Sequence, residues 1–387
     1  TPEEHYLKDV IEADPEYWLG IEDAGRKDLP YLFKVLAVGQ ALSIQAHPNK
    51  SLAEKLHKQQ PSNYPDGNHK PEICIPLGHF EALAGFRPVD EVLRFVDEVP
   101  ELQELCSSSF VGSGSSSSSS RHCDTIMEDD EEEEDGKGQK AAKPANVLRK
   151  LYTNLMRQDK IHVQHQVKAL VQRLKNKDER SPEEELILRT EKDYPGDIGI
   201  FSIYFLNYVR ITPDMPRKYI YCAPDEPHAY LLGDAVECMA ISDNVVRAGL
   251  TLKHKDVDTL LSMMSYRDDL LAELVCEAEQ VGPHVLKYDP PVDDFIVYEI
   301  TGPVPEGLEL PRAAIVACVK GSFHVEFRPA KGHLGGHEFV DAAQAARHVL
   351  HEGPQDVKVG HTFFSCAGAA LVVLDAEPEG RLFIATY

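Results

Sequence analysis

Two short stretches in the first quarter of the chain bring together side chains that can do chemistry. In the first, a β-strand would place Ser43, Gln45 and His47 on one face, because strand side chains alternate with period two. In the second, the same rule places Lys70 and Glu72 together. Two adjacent strands of this kind would present a hydroxyl, an amide, an imidazole, an ammonium and a carboxylate to one pocket. That is more polar chemistry than the core of a sheet needs.

A third stretch adds a second imidazole. Prolines mark a tight loop before His228 and Tyr230, which share one face of the strand that follows. Gln45, His47, Glu72 and His228 then supply two nitrogens and two oxygens, a donor set that suits Zn²⁺ and leaves room for water or substrate. The alternative is coincidence, because the chain has 17 histidines and two of them can be placed near a glutamate in many ways.

Charged residues in two further stretches each allow two interpretations. Glu237, Arg247 and Lys253 surround a Ser-Asp-Asn sequence, which is typical of a turn because Asp and Asn side chains satisfy local backbone groups. An exposed ion-pair cluster would show the same pattern, and residue chemistry alone narrowly favours that cluster. Lys34 interrupts an apolar run that is typical of a buried strand. It therefore lies either at a strand end in solvent or in a functional cavity.

The composition limits the class of protein. A length of 387 residues predicts two or three domains, and 42% hydrophobic with 27% charged residues is typical of a globular protein. A net charge of −24, with eight consecutive acids at 128–135, argues against nucleic acid or an anionic membrane as a partner. Eight cysteines without a C-x-x-C pair predict reduced thiols and a cytoplasmic protein. The apolar pattern predicts neither a membrane span nor a signal peptide.

Apolar periodicity predicts the order β, helical, β and β along the chain. Helices are expected to begin near Pro182 and to cover residues 48–60, 89–105, 147–156, 163–174 and 257–264. Ser51 and Asp90 are the expected N-caps of the first two helices. Residues 198–208 are expected to be β, and the short strands that follow, like those from 295 onwards, predict barrels or sandwiches. The tract 107–146 is rich in serine, glycine and acids and is expected to be disordered.

Five segments together resemble the type I phosphomannose isomerases, a family of zinc-dependent enzymes. The similarity extends from about Tyr17 to Tyr387, apart from the acidic insertion, and the segments occur in the family's order. They are Leu29-Pro-Tyr-Leu-Phe-Lys-Val-Leu36, Leu42-Ser-Ile-Gln-Ala-His-Pro-Asn-Lys50, His69-Lys-Pro-Glu72, Pro227-His-Ala-Tyr-Leu231 and Ser242-Asp-Asn-Val-Val-Arg-Ala-Gly-Leu-Thr-Leu-Lys253.

The resemblance implies a mainly β fold with an α insertion: two cupin-like β-barrel or jelly-roll domains plus a helical domain. The implied divisions are a catalytic cupin domain from 1–88 and 194–265, a helical insertion domain at 89–193 that carries the disordered tract, and a C-terminal cupin-like domain at 266–387. The implied reaction interconverts mannose-6-phosphate and fructose-6-phosphate through an enediol, supplying mannose-6-phosphate for GDP-mannose and glycosylation. The implied protein is a cytoplasmic monomer.

The resemblance also implies roles for individual residues. One zinc ion per chain is implied, with ligands Gln45, His47, Glu72 and His228. The catalytic arginine falls on Arg247. The remaining implied site positions are Lys34 and Ser43 at the phosphate end, Tyr230 against the substrate, and the polar residues Lys70, Glu237 and Lys253.

Two questions stay open from the sequence. The base that moves the proton is Glu237, a lysine (Lys70 or Lys253) with a depressed pKa, or a zinc-activated hydroxyl or water. The function itself has two alternatives: a cupin dioxygenase that holds Fe²⁺ with two histidines and one carboxylate, or a non-catalytic sugar-phosphate sensor. The fourth ligand, Gln45, and the phosphate-binding positions argue against the dioxygenase, and the full set of polar positions argues against the sensor.

Overall fold

The computed structural model describes residues 6–107, 143–215, 217–329 and 353–387. Most of the tract predicted to be disordered lies outside these residues. The described ends of this tract are helical and not disordered as predicted. Ser107 ends one helix, and residues 144–146 begin another. Among the described residues, no helix is long and apolar enough to cross a membrane.

A nine-stranded antiparallel sheet forms the first part of the fold. The path of hydrogen-bonded neighbours runs β5-β4-β7-β3-β6-β9, while β1 and β2 also pair with β7, and β8 pairs with β2. The strands are β1 (Tyr31–Val38), β2 (Ile44–Ala46), β3 (Glu72–Pro76), β4 (Phe80–Phe86), β5 (Leu206–Ile211), β6 (Lys218–Cys222), β7 (His228–Ala240), β8 (Val246–Gly249) and β9 (Val275–Glu277).

Strand β7 is the centre of this sheet because it pairs with four other strands. Its first half pairs with β2 and β4, and its second half with β1 and β3. The two halves meet at Gly233, where φ is +113° and a Cβ atom would lie 2.3 Å from the carbonyl oxygen of His79. Only glycine allows that conformation and that close approach, so one strand can serve two groups of partners.

The two faces of the sheet pack against different partners, as strand alternation requires. Cys74, Ile220 and Tyr230 lie in a buried cluster on the inner face. Ile73 and Tyr221, on the opposite face, belong to a second cluster that includes residues of the C-terminal strands. The inner face is therefore free to hold polar groups while the outer face supplies apolar burial.

The helices are α1 (Leu7–Ala13), α2 (Pro15–Leu19), α3 (Lys50–Gln59), α4 (Val89–Glu98), α5 (Pro100–Ser107), α6 (Pro144–Met156), α7 (Lys160–Lys175), α8 (Pro182–Asp193), α9 (Gly199–Ser202), α10 (Val257–Met263) and α11 (Leu271–Leu274), with a short 3₁₀ turn at Ile21–Asp23. Helices α4 to α8 share one apolar core with β2, β4 and β5. The predicted helical insertion is present, and the continuous helix expected over 89–105 is divided into α4 and α5.

The predicted N-caps of α3 and α4 were wrong. Asn49, not Ser51, caps α3, and its side-chain oxygen accepts from the N–H of Leu52. Asp90 lies inside the first turn of α4, and the free N–H of Val89 instead donates to the carboxylate of Asp268, 3.0 Å away. A residue 179 positions further along the chain therefore performs the capping.

Residues 198–208 were expected to be β throughout, and the structure corrects the first half of that prediction. Gly199–Ser202 is a helical turn, and the strand begins only at Leu206. The carboxylate of Asp197 accepts from the N–H groups of Gly199 and Leu250, each at 2.7 Å. This tertiary contact favours the helical turn over the local β propensity.

Two further sheets form the C-terminal part. A six-stranded sheet contains β10 (Glu279–Gly282), β11 (Val285–Tyr288), β12 (Ile296–Ile300), β14 (Ala314–Lys320), β17 (Thr362–Ser365) and β19 (Arg381–Thr386). A four-stranded sheet contains β13 (Val304–Leu310), β15 (Ser322–Pro329), β16 (Gln355–Lys358) and β18 (Ala369–Ala376). They share a buried apolar core, as in a sandwich. The predicted mainly β class with a helical insertion is confirmed.

Candidate metal centre

Three buried side chains meet on the inner face of the first sheet. His47, Glu72 and His228 each offer one ligand atom, and these atoms all lie within 4.8 Å of one another. One oxygen of Glu72 is 3.4 Å from Nε2 of His47, and the other is 3.4 Å from Nε2 of His228. The three residues are at most 3% exposed. Of the described residues, these are the ones grouped closely enough to hold a metal ion.

The strand register brings these residues together. Gln45 of β2 lies opposite His228 at the start of β7, and His47 directly follows β2. Glu72 begins β3 and lies opposite Met239, near the far end of β7. The bend of β7 allows its two ends to contribute to one site.

Gln45 and Ser43 extend the cluster on the predicted face. Nε2 of Gln45 is 3.4 Å from Nε2 of His47, and the hydroxyl of Ser43 donates to Oε1 of Gln45 over 3.1 Å. As the amide stands, its nitrogen points to the cluster. A bond from Gln45 to a metal ion therefore requires the amide to turn by half a rotation, which exchanges its oxygen and nitrogen.

The outer nitrogens of both imidazoles are fixed by backbone carbonyls. Nδ1 of His47 lies 2.8 Å from the carbonyl oxygen of Asn244, and Nδ1 of His228 lies 3.2 Å from that of Glu226. A carbonyl can only accept, so each Nδ1 carries the proton and each neutral ring keeps the lone pair of Nε2 for the cluster. Nε2 of His228 is buried and has no hydrogen-bond partner.

The protonation states of the cluster also suit a cation. Burial alone would raise the pKa of the Glu72 carboxyl, but the two imidazoles hold it well below its usual value. Burial lowers the pKa of His47, in spite of the nearby carboxylate. An ionised carboxylate and neutral imidazoles are the ligand forms that metals bind. The carboxylate and the two Nε2 nitrogens, of which that of His228 has no hydrogen-bond partner, therefore fit Zn²⁺.

A second polar group lies along β7. Glu237, 4% exposed, lies opposite Lys34 of β1, and the Lys34 ammonium is 2.8 Å from its carboxylate. Burial raises the pKa of Glu237, the negative charge of Glu72 raises it further, and Lys34 and Lys70 partly offset this. Lys70 is 3.5 Å from a Glu72 oxygen. Lys34 thus lies within a strand, and its partly exposed side chain reaches a buried acid.

Arg247 lies beside the cluster without an ion pair. It pairs in register with Gln45 across β2 and β8, and no acidic side chain among the described residues lies within ion-pair distance of its guanidinium. Its side chain is partly buried, and this burial lowers its pKa, although an arginine keeps its charge in proteins. Arg247 is therefore a cation available to a substrate oxygen.

Of the other two predicted site residues, Tyr230 is buried and Lys253 is exposed. Tyr230 is buried, its ring centre is 6.3 Å from that of His228, and burial raises the pKa of its hydroxyl well above the usual value. Lys253 lies exposed in the loop after β8, and no contact of its side chain with the cluster is present in the described part of the chain. The alternative of an exposed ion-pair cluster of Glu237, Arg247 and Lys253 is wrong, because Glu237 is buried against Lys34.

Sequence reasoning missed the residues that support the ligands. Ser242-Asp-Asn was correctly predicted as a turn, but nothing in the pattern indicated that the carbonyl of Asn244 meets His47, 197 residues away. The carbonyl of Glu226 and the carboxylate of Asp66 were missed for the same reason. Main-chain groups carry no sequence signal, and Asp66 lies in a Pro-Asp-Gly-Asn stretch that is typical of any turn.

Comparison with known proteins gives two family matches. Residues 2–89 match the type I phosphomannose isomerase catalytic domain, and residues 118–206 match the helical insertion domain of the same family. The first match contains Gln45, His47 and Glu72.

Relatives that match most of the chain are mannose-6-phosphate isomerases. Mannose-6-phosphate isomerase of Rattus norvegicus is 40% identical over 340 residues, which cover 83% of this chain and 74% of that protein. The enzyme of Homo sapiens is 39% identical over 354 residues, which cover 88% of this chain and 78% of that protein.

Solved structures of similar fold include proteins with zinc bound. Zinc-bound mannose 6-phosphate isomerase is 26% identical, with a TM-score of 0.74 over 99% of this chain and 85% of that chain. A structure with zinc and yttrium has a TM-score of 0.76 at 26% identity, over 100% and 86% of the two chains. A mutant phosphomannose isomerase from Salmonella typhimurium has a TM-score of 0.76 at 25% identity, over 99% and 85%.

We expect His228→Ala to lose zinc. The substitution removes one of two imidazole ligands and leaves the Glu72 carboxylate less compensated, so zinc affinity should fall by at least about 100-fold, more than the loss of a supporting residue causes. Metal content after dialysis, measured by atomic emission, checks this. The control is His324→Ala, which removes a histidine that pairs with Asp356 at the surface. Full zinc occupancy in His228→Ala would remove that residue from the ligand set.

Proposed function

Because the chain belongs to the type I phosphomannose isomerase family, we propose that it interconverts mannose-6-phosphate and fructose-6-phosphate at a zinc site formed by His47, Glu72 and His228. Gln45 completes the proposed ligand set. The buried cluster carries this proposal, because a buried carboxylate between two imidazole nitrogens, one of them without a hydrogen-bond partner, is a donor set that a bound cation would complete. The dioxygenase and sensor alternatives are not favoured, since the relatives at about 40% identity are isomerases.

The reaction moves a proton between two adjacent carbons of the sugar. A proton leaves the carbon next to the carbonyl, an enediolate forms, and the proton returns to the neighbouring carbon. Zinc, when bound, polarises the sugar oxygens. The protein must also supply a cation near the developing oxyanion, a base for the proton and an anchor for the phosphate.

Arg247 is the proposed cation for the enediolate. Its guanidinium is always charged, has five donors in a planar fork and lies across the strand pair from Gln45. Without an acidic partner among the described side chains, it keeps its full charge for the substrate. A cation placed in advance where negative charge develops is often the largest single contribution to catalysis.

Glu237 is the proposed base. Its carboxylate is buried, and both burial and the charge of Glu72 raise its pKa towards the range in which a carboxylate accepts a proton effectively. Lys70 and Lys253 would each have to lose a proton before they could accept one. Lys253 is exposed, and Lys70 lies against the Glu72 carboxylate. Their proposed role is to stabilise charge.

Lys34, Ser43 and Tyr230 are proposed to bind the substrate, with Lys34 and Ser43 at its phosphate end. The Lys34 ammonium has three donors, of which the contact with Glu237 uses one. Its side chain is 42% exposed, so the other two donors are accessible to a phosphate. In this arrangement Lys34 connects the phosphate end of the substrate to the base, so that remote binding energy orients the reacting carbon.

We also infer that the enzyme acts as a monomer in the cytoplasm and keeps the domain division expected from the sequence. The proposed ligands cluster within this chain, so the site needs no residue from a second subunit. The seven described cysteines are free thiols, which supports a reducing compartment. Helices α4 to α8 lie in the chain between β4 and β5 of the first sheet, which supports an insertion between the two parts of the first barrel.

The proposed function is tested by an assay of fructose-6-phosphate formed from mannose-6-phosphate. We expect turnover in zinc-loaded protein, loss of turnover after treatment with a chelator, and recovery when zinc is added back, because the proposed ligands then hold the metal that polarises the sugar oxygens. Zinc-loaded, folded protein without turnover would contradict the proposal.

Arg247→Ala should lower kcat by about 100- to 1,000-fold, the usual cost of removing one group that stabilises an oxyanion, while zinc content stays at the wild-type level. Arg247→Lys should recover only part of the activity, since it keeps the charge and loses the planar fork. Steady-state kinetics with metal analysis measures both quantities. Arg94→Ala, a change at an exposed helical arginine, is the control. Wild-type kcat in Arg247→Ala would exclude the proposed role.

Lys34→Met should move the acid limb of the kcat profile to higher pH. Glu237 must be ionised to act as a base, so activity falls as pH drops through its pKa, and the Lys34 charge lowers that pKa. Removing the charge raises the pKa, because burial and the Glu72 charge, which both raise it, are then opposed by Lys70 alone. Measuring kcat at saturating substrate separates this effect from weaker phosphate binding.

The control for this profile is Lys55→Met, which removes an exposed lysine of α3. An acid limb that stays in place in Lys34→Met, or moves to lower pH, would show that Glu237 is not the base.

A further inference from the structure

We infer that Asp66 is a positioning residue for both the zinc site and Arg247. This inference rests on the proposed function, because it assigns Asp66 a role in placing the proposed ligands and the proposed cation. A set of hydrogen bonds converges on the Asp66 carboxylate, between two turns that are far apart in the sequence.

The carboxylate of Asp66 accepts four hydrogen bonds. Its Oδ1 atom accepts from the N–H of Asn68 at 2.9 Å, the hydroxyl of Ser242 at 2.9 Å and Nδ2 of Asn244 at 3.1 Å. Its Oδ2 atom accepts from the N–H of Asp243 at 2.8 Å. Three of the four donors belong to the turn at 242–244. Hydrogen bonds to an ionised acceptor are roughly twice as strong as those between neutral groups.

Asn244 adds further contacts between the same two turns. Its side chain is fully buried, and Nδ2 also donates to the carbonyl oxygens of Asp66 and Asn68, at 2.8 and 3.0 Å. The hydroxyl of Ser242 donates to the carbonyl of Asn68 as well, at 3.1 Å. The turn at 242–244 therefore has its place set by the 66–68 turn.

The position of this turn determines which ring nitrogen of His47 carries the proton. The carbonyl of Asn244 holds the proton on Nδ1 of His47, which leaves Nε2 as an acceptor towards the cluster. Partners that orient a metal-binding histidine in this way typically contribute 10- to 100-fold to metal affinity. Here the orienting group is a main-chain carbonyl, so its position depends on whatever holds the turn, and Asp66 accepts most of the bonds that do so.

The Asp66 carboxylate also helps to place two more parts of the site. Strand β8 begins two residues after Asn244, and its Arg247 pairs with Gln45. In the segment that contains Asp66, Asn68 lies shortly before Lys70 and Glu72, and Glu72 is the first residue of β3. One carboxylate thus joins the segments that carry a histidine partner, a ligand and the proposed catalytic cation.

Two variants of Asp66 and one control test this inference in the full-length chain. Asp66→Ala removes all acceptors, whereas Asp66→Asn keeps one oxygen that can serve the three donors of Oδ1. Asp243→Asn is the matched control, because it removes one acid from the same network region while the Asp243 side chain is exposed and only its N–H takes part.

Three quantities are measured: zinc affinity by competition with a chromogenic chelator, the visible spectrum of the Co²⁺-substituted protein, and the thermal midpoint of the metal-free protein. We expect Asp66→Ala to bind zinc about 10- to 100-fold more weakly and to show shifted Co²⁺ bands. Asp66→Asn should show a smaller loss, and Asp243→Asn should match the wild type. A shifted Co²⁺ spectrum reports ligand geometry, which general destabilisation of a folded protein does not change.

Wild-type zinc affinity and an unchanged Co²⁺ spectrum in Asp66→Ala would overturn the role of Asp66 alone. If Asp66→Ala does not fold, Asp66→Asn and Ser242→Ala take its place. Each removes one bond between the carboxylate and the turn, and unchanged affinity and spectrum in both would overturn the inference. Wild-type protein that binds no zinc would overturn the proposed function, and this inference with it.

Discussion

The whole first sheet depends on the bend of one strand. The 13-residue strand β7 has to pair with β2 and β4 along its first half and with β1 and β3 along its second. Gly233 makes this possible. Its φ of +113° is a conformation that residues with a side chain rarely adopt, and the carbonyl oxygen of His79 leaves no space for a Cβ atom. His228 and Glu237 lie on opposite sides of that bend. One metal ligand and the proposed base therefore belong to one element.

The site is made of buried charges that compensate one another incompletely. Glu72 lies between two imidazoles that hold its pKa well below the usual value, and Glu237 is paired with Lys34 while burial raises its pKa. Burying charge is costly unless it is paired. The apolar clusters on the outer face and in the helical insertion stabilise a fold in which the inner face keeps this polar set. A metal ion bound in such surroundings would compensate buried charge and so stabilise the fold, besides taking part in the chemistry.

The site was largely predictable from the sequence, because its ligands lie on strands whose period-two pattern is local. Ser43, Gln45 and His47 share a face as expected, and Lys70 contacts Glu72. What could not be predicted depends on distant contacts. Asp268 caps α4 across 179 positions, Asp197 turns residues 199–202 into a helix, and Asp66 anchors a turn 176 or more positions away. No local pattern encodes these partners, and a carbonyl such as that of Asn244 is present at every residue.

We propose that His47, Glu72 and His228 hold one zinc ion at the place where the sugar phosphate reacts. An anomalous difference map at the zinc absorption edge, from crystals of the zinc-loaded protein, tests it most directly. We expect a single strong peak bounded by the two Nε2 atoms and the Glu72 carboxylate, with the Gln45 amide turned so that its oxygen faces the peak. A peak elsewhere in the chain, or none in protein that is catalytically active, would contradict it.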